Sequence, residues 1–230
     1  MVVGNSFDKD YCEQHWEQAA SGAPGAMEGN PPNPYLIHET GSLSPGTALD
    51  AGCGAGAEAV WLATKGWQVT AADIAPDALA RAARRAAGSG VAERVRWIEA
   101  DLTVWDPGLK FDLVTTNYAH PAMPQLSFYD RIAAWVVPGG TLLIVGHLHT
   151  TSTGPAHPAH PEVPEHPGHP GPHGQYPPAE ASVTLADIGA RLDGNNWKIA
   201  TAEEHVRTLT GPGGRPVPLH DVVVRATRRG

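Results

Sequence analysis

The sequence predicts an α/β protein: a seven-stranded, mostly parallel sheet with helices on both faces and an antiparallel C-terminal hairpin. Three observations carry this. Strand-like apolar runs alternate with helix-like runs from about residue 46 to 147. The strand-like runs lack in–out alternation, as expected of strands covered on both sides. The last two runs, WKIATAEEHV and PLHDVVVRAT, are joined by the turn-rich GPGGRP at 211–216.

GTALD (46–50) reads as the first buried strand. AEAVWLATKG (57–66) reads as a helix stopped by Gly66, a residue suited to the left-handed stop position. WQVTAAD (67–73) is the second strand. Pro76 opens a helix through PDALARAARRAAG, closed by Gly88. RVRWIEAD (94–101) and FDLVTTN (111–117) are the third and fourth strands. LSFYDRIAAWV (126–136) has apolar positions at helical spacing, and GGTLLIVGH (139–147) is the fifth strand. VTLADIGARL (183–192) resumes a helix before the final pair of strands. The chain thus divides into an N-terminal lid segment, 1–45, and a main domain, 46–230, interrupted by a His/Pro-rich insert at 148–181. The lid segment holds a short helix near YCEQHWEQAA and then a Gly/Pro-rich link.

Composition narrows the function. With 230 residues, 41% of them hydrophobic, the chain can bury one sizeable core. It has no apolar run of about 18 residues, so no transmembrane helix is expected. The N-terminus lacks the basic-then-apolar order of a signal peptide, and Cys12 and Cys53 make no disulfide framework. A reduced, cytoplasmic protein is the expectation. The net charge of −8 disfavours nucleic acid and anionic membranes as partners and leaves small molecules. Oligomeric state is not encoded in any feature found.

Residues 49–63, LDAGCGAGAEAVWLA, hold the central motif. A strand, a glycine turn and a helix in succession let backbone approach a ligand closely and expose free N–H groups. Gly52, Gly54 and Gly56 follow Asp50 in the pattern G-x-G-x-G. A dinucleotide loop needs G-x-G-x-x-G, whose third glycine falls here at Ala57. That spacing disfavours an oxidoreductase. Asp73 ends the second strand about 20 residues further on, placed to accept hydrogen bonds from ribose hydroxyls. Asp101 ends the third strand at the same edge of the sheet.

D-x-G-x-G-x-G after a first strand resembles motif I of the class I S-adenosylmethionine-dependent methyltransferases, a Rossmann-like family. The resemblance implies that Asp50, Gly52, Cys53, Gly54 and Gly56 wrap the methionine and ribose parts of the cofactor. It implies that Asp101 accepts from the adenine amine, that the Leu102 N–H meets a ring nitrogen and that Ile74 packs on the adenine face. Asn117 would touch cofactor or acceptor through its backbone. Cys53 reads as a small residue in the loop rather than a nucleophile.

PPNPYL (31–36), L-x-PG-x-ALD-x-GCG and AVWLA-x-x-GW-x-VTA-x-D are similar to the tellurite-resistance-type subgroup, which methylates small molecules. In that subgroup the N-terminal segment folds over the cofactor, which makes Trp16 and Tyr35 lid residues. The chain departs from the subgroup after residue 147. The implied chemistry is direct displacement of a methyl group from a sulfonium onto a nitrogen, oxygen or chalcogen nucleophile. The enzyme's task is then alignment and exclusion of water, with a base only where the acceptor must lose a proton. The candidate catalytic residues are Tyr118 and His120 in NYAHP, and His147 beyond the fifth strand, with His149 as its rival.

The insert TGPAHPAHPEVPEHPGHPGPHG (153–174) repeats proline every third residue, the period of polyproline II. His157, His160, His166 and His169 then lie on one stripe whose successive positions are about 9 Å apart, too far to converge on one metal unless the segment bends. Metal binding there is possible but no metal site is expected. A metal-binding or metal-sensing protein on the same fold is the alternative reading, and a cap over the acceptor is a third role for the insert.

Overall fold

The computed structural model describes residues 31–148, 183–210 and 216–230. Trp16, His149 and the insert at 153–174 lie outside them. One sheet carries seven strands: β1 (Thr47–Ala51), β2 (Gln68–Asp73), β3 (Val95–Glu99), β4 (Phe111–Asn117), β5 (Val136–His147), β6 (Trp197–Thr210) and β7 (Pro216–Arg228). Their spatial order is β3-β2-β1-β4-β5-β7-β6. The first five are parallel, and β7 runs antiparallel to both β5 and β6. The expected seven-stranded sheet with its closing hairpin is what the chain forms.

Three helices, α1 (Pro34–Thr40), α2 (Ala57–Thr64) and α3 (Pro76–Gly88), cover one face through Leu36, Leu62 and Leu79. Two more, α4 (Gln125–Ala133) and α5 (Leu185–Arg191), cover the other through Phe128, Ile132 and Ile188. The strands serve both layers. On β5, Leu142 and Ile144 face α4, while Leu143 and Val145 face α1 and α2. That double coverage explains the unbroken apolar runs in the sequence.

The chain steps outward from β1 to β2 to β3, then returns to place β4 on the other side of β1. The reversal opens a crevice at the carboxyl ends of β1 and β4, where doubly wound sheets hold ligands. No helix of the described residues is long and apolar enough to cross a membrane.

Several boundaries differ from expectation. The helix at 57–66 ends at Thr64, and Gly66 (φ 98°) takes the left-handed position beyond it, with Trp67 N donating to Leu62 O and Gly66 N to Ala63 O. For α3 the left-handed stop is Gly90 (φ 70°), and Gly88 is still helical. α4 ends at Ala133 rather than 136, because Val136 already pairs with Phe111 in β5. The ladder then slips around Pro138-Gly139-Gly140, where Gly139 has φ 81°, before the pairing resumes at Thr141. α5 starts at Leu185, since Val183 bridges to Leu148 and Thr184 caps the helix by accepting from Asp187 N. β3 stops at Glu99, two residues short of Asp101. Residues 34–40, expected within a link, are a helix capped by Asn33 and anchored by buried Glu39, which pairs with Arg225 and accepts from Thr201.

Candidate functional site

The turn after β1 has one shape because three glycines permit it. Gly52, Gly54 and Gly56 have φ of 83°, 48° and 75°, a region that side-chain-bearing residues avoid. Gly52 N and Cys53 N both donate to Ala72 O, which ties the turn to β2. Asp73 completes the tie: its Oδ2 accepts from Gly54 N at 2.8 Å and its Oδ1 from Ala75 N at 3.0 Å. A Cβ on Gly52 would overlap that of Ala119, so the turn lies directly against the segment following β4. The glycine loop and the segment following β4 are thus in contact.

The loop is rimmed by carboxyl groups. Asp50 is almost fully buried, and among the described residues its Oδ2 has no hydrogen-bond partner. Burial, and then the neighbouring Glu58 and Asp73, push its pKa well up. Glu58, at the start of α2, accepts from Asn33 N at 3.0 Å and is also raised, chiefly by burial. Asp73 is raised by burial against the lowering effect of its backbone donors. Buried Asp50, with its orphaned oxygen, and the half-buried Glu58 and Asp73 make a corner that a cationic group would relieve. Cys53 is buried, and its thiol is pushed well up by burial and then by Asp73 and Asp50. A buried, protonated thiol is a poor nucleophile.

Further along the edge, half-buried Ile74 follows Asp73. Exposed Asp101 turns its Oδ1 to Thr103 N and Oγ1. Leu102 sends its side chain into the core, and among the described residues its N–H has no partner. Asn117 ends β4 with Nδ2 on Thr115 Oγ1 and a buried, unpartnered Oδ1.

The three catalytic candidates come together. Tyr118 and His147 stack at 4.7 Å between centroids, and His120 and His147 at 5.3 Å. Tyr118 is the one described non-glycine residue with positive φ, 58°, held there by its N–H on Val145 O. His120 Nδ1 meets Gln125 Oε1, whose amide nitrogen donates to Ala119 O. Burial lowers the His120 pKa. Burial, then His120 and Arg207, push His147 down to about 3, so both imidazoles are neutral at pH 7. The Tyr118 hydroxyl is raised by burial and then by Asp221, so it stays a phenol and acts as a donor.

Sequence reasoning missed Asp221 and Arg207. Asp221 is completely buried on β7, and Arg207 Nε on β6 donates to its Oδ2 at 2.6 Å. The Arg207 guanidinium also covers the Tyr118 ring at 5.2 Å. Tyr35, expected in a lid, stands here: its hydroxyl reaches Asp221 at 3.5 Å and its ring stacks on His205 at 4.7 Å. An aspartate inside the apolar run PLHDVVV was the available signal. Among the described residues no three metal-ligating side chains converge.

Residues 48–140 match the family model described as a methyltransferase domain. A probable thiol methyltransferase 2 of Arabidopsis thaliana is 29% identical over 133 residues, covering 56% of this chain and 59% of that one. The chain spans about half the length of the curated relatives it matches. Haemophilus influenzae TehB superposes with a TM-score of 0.66 at 15% identity, over 95% of this chain and 67% of TehB. The 1,6-didemethyltoxoflavin-N1-methyltransferase of Burkholderia thailandensis, a structure with bound S-adenosylhomocysteine, gives 0.60 at 19%, over 96% and 86%. The fold is that of the Rossmann-like methyltransferases. The matched span runs from β1 into β5 and includes the glycine loop, Asp73, Asp101 and the Tyr118–His120 segment.

Proposed function

We propose that the protein is an S-adenosylmethionine-dependent methyltransferase acting on a small molecule. One observation carries the reading. At the switch point of the sheet, Asp73 reaches from β2 to hold a three-glycine loop from β1, beside the unpartnered buried oxygen of Asp50. The residues fit the cofactor. Asp73 keeps lone pairs for ribose hydroxyls beyond the two N–H groups it already accepts. The Asp50 corner suits the cationic methionine portion. Ile74, Asp101 and the Leu102 N–H lie in chain order along the rim for the adenine, and the loop glycines and Asn117 offer backbone.

When bound, this cofactor supplies an electrophilic methyl group with a neutral thioether as leaving group. The chain's residues have then to seat and align the nucleophile and exclude water. Tyr118 donates a hydrogen bond, while neutral His120 and His147 can accept one or take a proton. Nitrogen, oxygen and chalcogen acceptors all suit this set, and the thiol methyltransferase relative favours sulfur. The metal-binding alternative rests on the insert at 153–174, which lies outside the described residues.

Isothermal titration with S-adenosylmethionine, S-adenosylhomocysteine and NADH tests the reading. The two nucleosides should bind and NADH should not. Asp73→Ala should weaken the nucleosides at least about tenfold, the scale of one lost charge-assisted hydrogen bond. A folded protein that takes up neither nucleoside would overturn the assignment.

A further inference from the structure

Two buried polar atoms at the acceptor edge face each other without meeting. His147 Nδ1 and Asp221 Oδ1 are 4.0 Å apart. Both are shielded from solvent, and among the described residues neither has a hydrogen-bond partner. Buried polar atoms are nearly always paired, so one orphan on each side of a single gap calls for an explanation. The strands bring them there: Asp221 on β7 stands in register with His147 on β5 and with His205 on β6. The other Asp221 oxygen is occupied by Arg207 Nε and the Tyr35 hydroxyl. The His147 ring is stacked against Tyr118 and His120, which fixes its plane.

We propose, resting on the methyltransferase reading above, that Asp221 is the positioning residue for His147: when the site fills, the gap closes to an Nδ1–H···Oδ1 hydrogen bond and His147 Nε2 takes the acceptor's proton. The acceptor class follows. It is a protic nucleophile that is neutral in water, a thiol, hydroxyl or N–H, and not an anion ready to react. The X–H bond breaks and its proton goes to Nε2. Its electron pair forms the bond to the transferred methyl carbon, and the carbon–sulfur pair stays with sulfur. His147 then returns the proton to solvent.

The open gap is the resting state of this base. The described titratable groups around it are Tyr118 and His120 beyond β4, Arg207 and His205 on β6, Asp221 on β7 and, across Asp221, Tyr35 of α1. Burial, His120 and Arg207 all hold the imidazole neutral. A carboxylate at contact distance opposes them and raises basicity where it is needed.

Nitrogen-15 NMR of the histidine rings at pH 7.5, on the full chain with S-adenosylhomocysteine bound, tests this. His147 should carry its proton on Nδ1. Asp221→Asn should lose that tautomer preference and lower the His147 titration midpoint by about one pH unit or more. Arg207→Gln, which keeps Asp221 and removes a cation, should keep the Nδ1 proton and raise the midpoint. A proton on Nε2 in the unaltered protein, or an Asp221→Asn spectrum matching it, overturns the proposal. Failure of the nucleoside to bind the folded chain would instead overturn the methyltransferase reading, and this inference with it.

Discussion

Gly56→Ala is the sharpest test of how the glycine loop is wedged. Gly56 sits at φ 75°, where an alanine costs about 1–2 kcal/mol. A Cβ there would stand 2.7 Å from Ala82 Cβ on α3 and 2.7 Å from the Trp97 ring on β3. Ordinary carbon contacts lie at about 3.5–4.0 Å, so both neighbours are overlapped by about 1 Å. Ala82 is a backbone-fixed methyl and cannot turn away, and overpacking of this kind costs about 1–3 kcal/mol. The sum is about 2–5 kcal/mol. For a chain of this size each kcal/mol lowers the melting temperature by about 2–4 °C, so a fall of about 4–20 °C is expected. Gly90→Ala supplies the reference: φ is 70°, but nothing lies within 4 Å of its Cβ, so only the backbone cost remains. Scanning calorimetry of both variants, with and without S-adenosylmethionine, separates the two contributions. Gly56→Ala should melt well below Gly90→Ala and bind the nucleoside more weakly. Two variants melting within about 2 °C of each other would refute the wedge.

Two further outcomes follow from the buried groups at the glycine loop. The folded-state pKa of Asp50 lies above its unfolded value, so it costs no stability below the unfolded value and an increasing amount as pH rises from there toward the raised folded value. Asp50→Asn should therefore stabilise the ligand-free chain by about 1 kcal/mol or more at pH 8 and much less near pH 4, while weakening nucleoside uptake, as melting curves and titration calorimetry would record. In a Cys12→Ser chain, Cys53 should react with iodoacetamide at pH 8 more than about tenfold slower than after unfolding in urea, because burial keeps the thiol protonated and covered.

What could be read from the residues depended on how local the information was. The apolar runs and the interleaved helices are local patterns, and they gave the sheet, its helices and its hairpin. Asp50, the glycines and Asp73 sit at strand ends in one βαβ unit, so sequence spacing alone placed them together. Boundaries failed where two residues of one kind competed: Gly88 and Gly90 both suit a helix stop, and only the backbone angle of Gly90 decides. Val136 looked helical beside Trp135 because the bulge at Pro138-Gly139-Gly140 hid the start of β5. Asp221 was beyond reach for a different reason. Its partners come from α1, β5 and β6, and which residues face it depends on the register of the hairpin, His205 opposite Asp221, not on any short motif.

The residues that were hardest to read are also those that break local rules. Tyr118 holds a left-handed backbone angle, Asp221 and Asp50 are carboxyls buried with an orphaned oxygen, and His147 has a buried Nδ1 without a partner among the described residues. Each is unfavourable for folding taken alone, and the ordinary remedy would be an apolar side chain. They cluster at one end of the sheet, around the glycine loop and the segment it touches, while the strands beneath them carry Leu, Val and Ala in the expected places. A well-packed layer that tolerates such costs at a single edge concentrates its unsatisfied polarity where a ligand can meet it. That placement explains why one carboxyl, Asp50, awaits a cation, whereas the other, Asp221, awaits an imidazole proton.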